Sequence, residues 1–570
     1  MNPLTQLIKE DMIPALGVTE PGSIAYISAL ARSYTVGRIV AVNLSLSSSV
    51  YKGAFTCGIP GTEDVGIQFA AALGLCGGDH TKGLQALEGL TDQAIQDARE
   101  MVNEGKIHAK IHSITSDIYL HIKLETIIDT CEVTIKGSHT NVTEIIVNGK
   151  PAFSKELDLF RDFGEDFRDR TAKDLPDQEA SSEDSLQSQQ QEPGEENPDT
   201  LQAQAYDEET PEDQAAQEDQ ALPADEIRPL AIEDENREGA VLSQPEEVRP
   251  QEEAPSAEYF PSQAASAPSH YPQIRGYTLA DFVEYANTVE LSEIAFIRSA
   301  YDMNLALLEE GMNSERTHFS KQLFKRNGGA AISEDEVATA QFLTNTALEA
   351  RVIGLSRPAM SITGSGAHGI LCTMPLYACC AVHKLTEEKL LRATALSYLI
   401  TIYIKEYSGL LSAFCGCAIA AGTGAAVGLC YLADGTVEEM GRVINNMASS
   451  ITGMICDGGN AGCTMKGITA VDAAYRAVTM AMNEAWIDSA HGICGPSAEQ
   501  TLRNMGQIAY PGMRDTEKTI LDILAQKDKA KGFEEIPIAE AHQSAPEKPA
   551  NRRSSKKSIF HRFKKGSSEE

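Results

Sequence analysis

The sequence predicts an α+β protein, in which an N-terminal α+β domain with an antiparallel sheet precedes a mostly α-helical domain. Residues 106–153 alternate apolar and polar side chains in runs such as KIHAKIHSI and EIIVNGKPAF, and this period of two is typical of antiparallel strands. Beyond residue 273 the apolar residues recur with helical spacing, as in TLADFVEYANTVELSEIAF. The stretch between these patterns has neither period. We therefore expect two folded parts separated by an insert.

The stretch between the folded parts, residues 166–272, predicts a long disordered insert. Within it, residues 171–270 contain 27 Asp and Glu against 4 Lys and Arg, together with much Gln, Pro, Ser and Ala. A segment this charged and this poor in apolar residues cannot bury enough surface to offset its chain entropy. The insert divides the chain into an N-terminal domain, residues 1–165, and a helical domain, residues 273–530. A basic disordered tail, residues 531–570, follows.

The N-terminal domain opens with two predicted helices, which GVTEPG separates. Pro21 suits the first turn of the second helix. Thr19 and Glu20 directly precede Pro21. The free backbone N–H groups at this helix start can bind an anion. GRIVAVNLSLSSSVY then predicts a strand, and GIQFAAALGLCGG predicts a helix of small residues.

Two loops of small polar residues interrupt the regular elements. GSHTN is a turn inside the alternating region and carries Ser138, His139 and Thr140. MSITGSGAHGI, residues 360–370, precedes an apolar run, and its glycines can expose backbone N–H groups to a carboxylate or phosphate. Such loops are mostly turns, so the pattern alone leaves an anion site and an ordinary turn as open alternatives.

Three cysteines lie in glycine-rich, almost charge-free surroundings: Cys417 in FCGCAIAAG, Cys456 in MICDGG and Cys463 in AGCTMKG. Thiolates are soft ligands for iron–sulfur clusters, copper(I) or zinc, and neighbouring glycines let the backbone wrap a cluster. The spacing differs from the C-x2-4-C pairs of structural zinc sites, and three ligands without an obvious fourth indicate a cluster with one open iron. A second interpretation treats these thiols as small buried core residues. That core interpretation also covers Cys57, Cys76, Cys131, Cys372, Cys379, Cys380, Cys430 and Cys494.

The charge and composition of the chain indicate which kinds of partner and which cellular compartment to expect. The segment MNPLTQLIKEDMIPAL lacks the basic region, apolar run and cleavage site of a secretory signal, so we expect a cytoplasmic protein without disulfides. The net charge of -34 argues against a nucleic-acid-binding protein. Residues 409–433 carry no charge, but their glycines favour the core of a large domain over a transmembrane segment. The basic tail would either touch an anionic surface or remain solvated.

The motifs together resemble the iron–sulfur-dependent L-cysteine desulfidase family, which is related to the α chain of iron–sulfur L-serine dehydratases. Seven motifs in the same order carry the resemblance: GVTEPGSIA, GIPGTEDVGIQFAAALG, GSHTNV, MSITGSGAHGI, TIYIKEYSGLLSAFCGCAIAAGTGA, ITGMICDGGNAGCTMK and PGMRDTEKTIL. They cover nearly everything outside the insert and the tail. The resemblance implies that Cys417, Cys456 and Cys463 hold a [4Fe-4S] cluster, with Cys415 as the competitor for the first position.

The resemblance also implies a β-elimination on a small amino acid, L-cysteine or L-serine, that gives pyruvate and ammonia without pyridoxal phosphate. An open iron would polarise the leaving group while a base removes the α-proton. Each implied residue also has an ordinary structural interpretation, as a turn, a strand end or a solvated side chain. The implied catalytic residues are His368, His139 and Lys405. The implied substrate-binding residues are Thr19, Glu20, Ser138, Thr140, Ser361, Gly364, Ser365 and Gly366.

The chain departs from the family pattern at two places. Where the family has Gly-Cys-Thr-Glu-Pro, this chain has Val18, which neither takes a proton nor binds iron. The family loop Asn-Ala-Gly-Ser-Gly-Asn-Gln-Gly reads ITGSGAHG here, so both amide side chains are absent. His368 is then either a replacement base or an ordinary residue at a relaxed site. Two functions follow as alternatives: an iron–sulfur lyase, expected as a homo-oligomer, or a catalytically impaired relative that acts as a scaffold through its insert and tail.

Overall fold

The computed structural model of the chain describes residues 1–155 and 269–530. The predicted insert up to residue 268 and the predicted basic tail lie outside the described residues. Residues 269–272, which the predicted boundary assigns to the insert, are described. Within them the Ser269 hydroxyl and the Tyr271 N–H donate hydrogen bonds to the Glu406 carboxylate at 2.6 and 2.7 Å. The exact domain boundaries stay predictions.

The N-terminal part alternates helices with strands and then forms a run of strands. Its helices are α1 (Pro3–Asp11), α2 (Thr19–Ser33), α3 (Ser48–Ala54), α4 (Ile67–Gly77) and α5 (Asp92–Asn103). Its strands are β1 (Ile13–Leu16), β2 (Ile39–Ser47), β3 (Ile107–Ser113), β4 (Tyr119–Thr126), β5 (Thr130–Lys136), β6 (Val142–Val147) and β7 (Lys150–Ser154). The two predicted helices flank β1, a strand that the sequence pattern did not predict.

One sheet contains six of these strands, in the order β3-β2-β4-β5-β6-β7. β2 pairs parallel with β3, and every other neighbouring pair is antiparallel, as the alternating pattern predicts. Leu120, Ile122 and Leu124 of β4 are fully buried, whereas the residues between them are partly exposed. Each of these burials stabilises the fold by roughly 1.5–3 kcal/mol. A shift of one residue would expose all three, so the alternation fixes the register.

The small-residue helix α4 packs closely against α2, which in turn packs on β4 and β5 of the sheet. A Cβ atom at Gly74 would lie 2.3 Å from the carbonyl oxygen of Ala25, so only glycine permits this approach. The composition of α4 therefore follows from its close packing. This packing fixes α2, whose first turn reaches the candidate site.

The C-terminal part is helical, which confirms the predicted α+β class. Its helices are α6 (Leu279–Thr288), α7 (Leu291–Ile294), α8 (Arg298–Asn313), α9 (Phe319–Arg326), α10 (Glu336–Val352), α11 (Gly366–His383), α12 (Glu387–Ser408), α13 (Gly422–Leu432), α14 (Val437–Ile451), α15 (Gly462–Met482), α16 (Ala498–Gln507) and α17 (Arg514–Ala530). α10 and α12 are buried along most of their length. Helices buried on all sides belong to the centre of a large core.

A second, two-stranded sheet joins the two described parts. β1 pairs antiparallel with β8 (Pro358–Ser361), and Ile13 lies opposite Ser361. Just beyond the pair, the Thr363 N–H donates to the Asp11 carboxylate at 2.5 Å. Both described parts belong to one compact unit. The pairing brings the glycine-rich loop after β8 against the N-terminal part.

The uncharged stretch at residues 409–433 does not form one helix. It consists of a loop, a π-helix (Cys417–Ala421) and α13. Across residues 1–155 and 269–530, we find no helix with both the length and the apolar character needed to cross a bilayer.

Candidate metal and active site

Four cysteine side chains from three chain segments line one cavity of ≈ 70 Å³: Cys415, Cys417, Cys456 and Cys463. The N-terminal ends of α2, α11 and α15 also contribute to its wall. Helix N-termini present free N–H groups and a partial positive charge, which stabilise thiolates and carboxylates. The cavity therefore combines soft ligands with an environment suited to anions.

Backbone hydrogen bonds hold Cys415 and Cys456 side by side. The Cys415 N–H donates to the carbonyl oxygen of Met454 at 3.0 Å, and the Cys456 N–H donates to the carbonyl oxygen of Ala413 at 2.6 Å. These bonds belong to a short antiparallel bridge between the two segments. Their thiols are thus positioned by main-chain geometry.

The other two cysteines lie at helix starts. Cys417 is the first residue of the π-helix, a geometry that occurs frequently at functional sites. Cys463 lies in the first turn of α15, and its N–H donates to the carbonyl oxygen of Asn460 at 2.9 Å. A helix start favours the thiolate form of a cysteine.

Glycines let the loop that carries Cys456 approach its neighbours. A Cβ atom at Gly458 would lie 2.3 Å from the carbonyl oxygen of Lys52, and one at Gly459 would lie 2.9 Å from a methyl group of Val18. Gly458 also has a φ of +104°, in the region that favours glycine. The GG pair after Cys456 is therefore required for the loop to close on α2 and α3.

The buried thiols perturb one another. Cys417 donates a hydrogen bond to Cys415, which lowers the pKa of Cys415 to about 7 and raises the pKa of Cys417. Burial raises the pKa of Cys463 to about 12. Several thiolates in one buried space repel each other, so a metal that binds them all lowers their free energy and releases protons.

The wall of the cavity is basic. Lys52, Arg351, Lys405 and Lys466 line it, together with a single acidic side chain, Glu20. Lys52 and Lys466 are paired with the carboxylates of Glu517 and Asp457, so the positive excess comes from Arg351 and Lys405 against Glu20. A positive excess in a buried space attracts anions, because the local dielectric constant is low. Thiolate ligands and the carboxylate of a small substrate are both anions that such a wall would attract.

Lys405 and His368 both approach the backbone between Cys415 and Cys417. A Cβ atom at Gly416 would lie 2.6 Å from Nε2 of His368 and 3.2 Å from Nζ of Lys405. Burial lowers the pKa of Lys405 to about 8, although the neighbouring thiols raise it. Burial and the Lys405 ammonium hold the pKa of His368 well below its usual range, so its imidazole is neutral.

A tight turn in the glycine-rich loop orients His368. The N–H of Ser365 donates to the carbonyl oxygen of Ile362 at 3.1 Å, and the turn residues Thr363 and Gly364 have φ of 49° and 73°. A threonine in this left-handed region costs roughly 1–2 kcal/mol. The Thr363 hydroxyl lies 2.6 Å from Nδ1 of His368, so Nε2 is left to face the cavity.

Part of the predicted substrate-binding set reaches the cavity. Glu20 and Ser365 line it, and the hydroxyl of Thr19 lies 3.2 Å from the Glu20 carboxylate just behind. Ser361 does not line it, because its hydroxyl donates to the carbonyl oxygen of Ile13 at 2.5 Å and ties β8 to β1. The roles of these residues stay predictions.

The predicted turn that carries His139 lies beside the glycine-rich loop. A Cβ atom at Gly364 would lie 3.4 Å from the imidazole of His139. His139 is buried, which lowers its pKa, and within the described part of the chain its Nε2 has no hydrogen-bond partner. Ser138 is exposed and Thr140 is half-buried, and neither lines the cavity. The structure thus brings His139 near the site but leaves the hydroxyls on both sides of it outside.

Arg351 is a site residue that the sequence analysis missed. It lies in the last turn of α10, is 4% exposed and lines the cavity. Its Nε has no hydrogen-bond partner among the described residues, and a Cβ atom at Gly366 would lie 2.8 Å from that nitrogen. A buried guanidinium without a full set of partners is costly and indicates an anion site. A basic residue in a last helical turn is ordinary, so the sequence carries no signal for it.

A buried ion pair closes another side of the cavity. Nζ of Lys52 lies 2.5 Å from the Glu517 carboxylate of α17 and donates to the carbonyl oxygen of Ser412 at 3.1 Å. Lys52 lines the cavity, whereas Glu517 lies behind it. This pair was also missed, because 465 residues separate its members.

Val18 occupies an apolar position beside the thiols. Val18, Cys57 and Val352 form a small buried cluster, against which Cys463 packs. Burial raises the pKa of the Cys57 thiol well above its usual range. The position at which the family pattern has cysteine therefore contributes packing next to Cys463 and no acid–base group.

The fold and the site define a class of protein: an α+β chain with a buried, basic, thiol-lined cavity suited to a metal centre and a small anionic substrate. The sequence profile of a family described as "Serine dehydratase alpha chain" matches residues 81–522. The chain belongs to this family, and the resemblance predicted from the motifs is confirmed at this level. Family membership makes the chain a serine dehydratase-like, lyase-like enzyme.

Curated relatives align over nearly their whole length. A UPF0597 protein of Clostridium botulinum is 32% identical over 528 residues, which cover 93% of this chain and 99% of the relative. UPF0597 proteins of Caldanaerobacter subterraneus and Aeromonas hydrophila are 28% and 29% identical and are covered to 98% and 96%. Their names state no activity.

Proposed function

We propose that the chain is an iron–sulfur-dependent lyase that catalyses β-elimination on a small amino acid. The substrate is L-cysteine, giving pyruvate, ammonia and sulfide, or L-serine, giving pyruvate and ammonia. The observation that carries the proposal is the convergence of Cys417, Cys456 and Cys463 on one buried basic cavity. Membership of a serine dehydratase-like family supports the class of reaction.

The cavity residues fit a [4Fe-4S] cluster. Thiolates from separate segments are the ligands that such clusters take, and Cys417, Cys456 and Cys463 provide three. Cys415 competes for the Cys417 position, because the two thiols hydrogen-bond each other and a cluster would replace that contact. When bound, the cluster would supply a Lewis acid that polarises the β-substituent of the substrate.

The substrate carboxylate binds to the basic wall. Arg351 offers a buried guanidinium whose Nε lacks a partner among the described residues, and an Arg–carboxylate pair is among the stronger polar interactions in proteins. The N-terminus of α11, with Ser365 in the cavity lining, adds backbone N–H groups to the same side. Together these groups would fix the orientation of a small amino acid.

His368 is the proposed base. In the tautomer whose Nδ1–H donates to the Thr363 hydroxyl oxygen, Nε2 carries no proton, and it would accept the α-proton on the side of the cavity. The C–H electron pair forms the Cα–Cβ double bond, and the β-substituent leaves with its own pair. The aminoacrylate takes up a proton and reacts with water, which releases ammonia and leaves pyruvate. Lys405 stabilises the negative charge that develops during proton removal, and His139 is the alternative base.

Anaerobic purification of the full-length chain tests the proposal. Iron and acid-labile sulfide are measured together with the absorption spectrum, and pyruvate and sulfide are assayed with L-cysteine and L-serine. We expect iron in the wild type, loss of iron in Cys456→Ala and retention in Cys430→Ala, a buried cysteine outside the cavity. A colourless, iron-free wild type, or equal losses in both variants, would overturn the ligand assignment.

The second candidate function is a catalytically impaired relative that acts as a binding or scaffold protein. Val18 favours it, because this buried valine supplies no proton-transfer group at the start of α2. An iron-loaded chain that forms no pyruvate from either amino acid would support this candidate. Substitution of Val18 by cysteine should then restore measurable turnover.

A further inference from the structure

A second group of metal-ligating side chains lies outside the thiol cavity: Glu336, Cys379 and His383. One ligand atom of each residue lies within 4.8 Å of those of the other two. Cys379 and His383 are four residues apart on α11 and share one face of that helix, while Glu336 begins α10. We propose that these three residues bind a divalent transition-metal ion of the zinc type.

The donor set and its geometry support zinc. Thiolate, imidazole and carboxylate are the ligands of protein zinc sites, with Zn–N near 2.0–2.1 Å and Zn–S near 2.3 Å, so tetrahedral ligand atoms lie roughly 3.3–3.8 Å apart. Nε2 of His383 already lies 2.9 Å from Oε2 of Glu336. The side chain of His383 is 54% exposed, so it can shift by the ångström needed and leave a fourth position to water.

Neighbouring residues support the proposed ligands. The hydroxyl of Tyr475 on α15 donates to the carbonyl oxygen of Pro375 at 3.3 Å, and burial together with the nearby Glu336 carboxylate raises the pKa of Tyr475 well above its usual range. Tyr475 is therefore a neutral phenol beside the proposed ligand Glu336. Lys389, a cation of the same region, is paired with Asp434 at 2.7 Å and so does not neutralise Glu336 directly.

This centre is separate from the thiol cavity. Cys379 lies roughly 16 Å along the axis of α11 from His368, at 1.5 Å per residue. α10 likewise carries Glu336 in its first turn and Arg351 in its last. A metal ion would join the start of α10 to the end of α11, the two helices whose opposite ends hold Arg351 and His368 at the cavity. Such an ion would stabilise the packing of these two helices against each other.

Cobalt(II) titration of the full-length chain tests the proposal, since cobalt replaces zinc and reports its ligands by absorption. We use the Cys456→Ala chain, in which the cluster ligands are incomplete but three cavity thiols remain. The result is therefore the difference in cobalt binding between Cys379→Ser or His383→Ala and the control Cys380→Ser. Cys380 is also buried on α11 but lies outside the ligand group. We expect one equivalent of tetrahedral cobalt with thiolate-to-cobalt charge transfer that depends on Cys379 and His383. Loss of an outer partner of a metal ligand weakens binding by about 10–100-fold, so loss of a ligand itself should weaken it at least as much, and Cys380→Ser should leave it unchanged.

Two results would overturn the proposal. One is the absence of thiolate-ligated cobalt in the Cys456→Ala chain, and the other is equal binding in Cys380→Ser and His383→Ala. His383 is largely exposed, so its substitution leaves folding intact, and melting curves of each variant verify this. Zinc should raise the melting temperature of the parent chain and leave that of His383→Ala unchanged. This outcome is independent of the iron content measured for the proposed function.

Discussion

The six-stranded sheet and the thiol cavity are built on opposite principles. In the sheet, buried positions such as Leu120, Ile122 and Leu124 are apolar, and the strands satisfy each other's backbone groups. In the cavity, Lys405 and Arg351 are equally buried, and the wall carries more positive than negative charge. The sheet therefore stabilises the fold. In the cavity, the burial of charged groups costs free energy, and the stability of the rest of the fold offsets this cost.

Replacement of Arg351 should separate function from stability most clearly. Arg351→Met removes the proposed carboxylate ligand, so kcat/KM for L-cysteine or L-serine should fall by about 10²–10³-fold. The free energy of unfolding should stay constant or rise, because a buried and incompletely paired charge is lost. The exposed Arg357→Met is the control and should change neither quantity. If Arg351→Met were as active per folded chain as the wild type, the carboxylate site would lie elsewhere.

Removal of one member of the buried Lys52–Glu517 pair should cause the largest loss of stability at the cavity. Glu517→Ala leaves the Lys52 ammonium buried without its partner and should reduce the free energy of unfolding by about 3–5 kcal/mol. The double variant Lys52→Met/Glu517→Leu should recover most of this loss. Asp522→Ala breaks an exposed pair with Lys518 on the same helix and should cost less than about 1 kcal/mol. If urea denaturation showed the same loss of unfolding free energy for Glu517→Ala and Asp522→Ala, the Lys52–Glu517 pair would not be buried as described.

In the sheet, truncation should affect stability alone. Ile122→Ala removes a fully buried side chain and should cost about 2–5 kcal/mol in free energy of unfolding, while KM and iron per folded chain stay unchanged. Lys123→Ala on the opposite face should change stability by less than about 0.5 kcal/mol. A changed KM in Ile122→Ala would mean that the sheet also shapes the cavity directly.

Asp11 should make the loop beside the cavity sensitive to pH. Burial raises the pKa of Asp11 to about 6, although hydrogen bonds from the Tyr271 hydroxyl and the Thr363 N–H lower it. Between about pH 4 and pH 6 the folded chain therefore binds more protons at Asp11 than the unfolded chain. The contribution of Asp11 to the free energy of unfolding thus falls as the pH rises, by up to about 3 kcal/mol. Asp11→Asn should remove this slope from unfolding free energies measured across that range. A slope that is the same in both chains would exclude Asp11 as its source.

The elements that were predicted correctly share a local signal. The period of two across residues 106–153 predicts the strands β3–β7, and Pro21 in GVTEPG predicts the first turn of α2. β1 and β8 were not predicted, because four residues are too few to display a period and their pairing joins distant segments. For the same reason the mixed character of the sheet, with β2 parallel to β3, could not be predicted.

The candidate site divides in the same way. Cys417, Cys456 and Cys463 were found because cysteine beside glycine is a recognisable chemical pattern, and His368 and Lys405 because motifs surround them. Arg351 and Lys52 were not found, since an arginine at a helix end and a lysine among serines carry no such pattern. The group of Glu336, Cys379 and His383 was missed because Cys379 alone is indistinguishable from a core cysteine.

By itself the sequence determined the fold class and the family, and it singled out the cysteines proposed as cluster ligands, because periodicity and motif chemistry are properties of neighbouring residues. Only the tertiary structure decided which charges face those cysteines. Whether Arg351 lies in a solvated last turn or in a buried cavity depends on the packing of α2, α11 and α15 around it. Burial and pairing are set by segments hundreds of residues apart, and electrostatic energies depend on distance in space, which the order of residues does not encode.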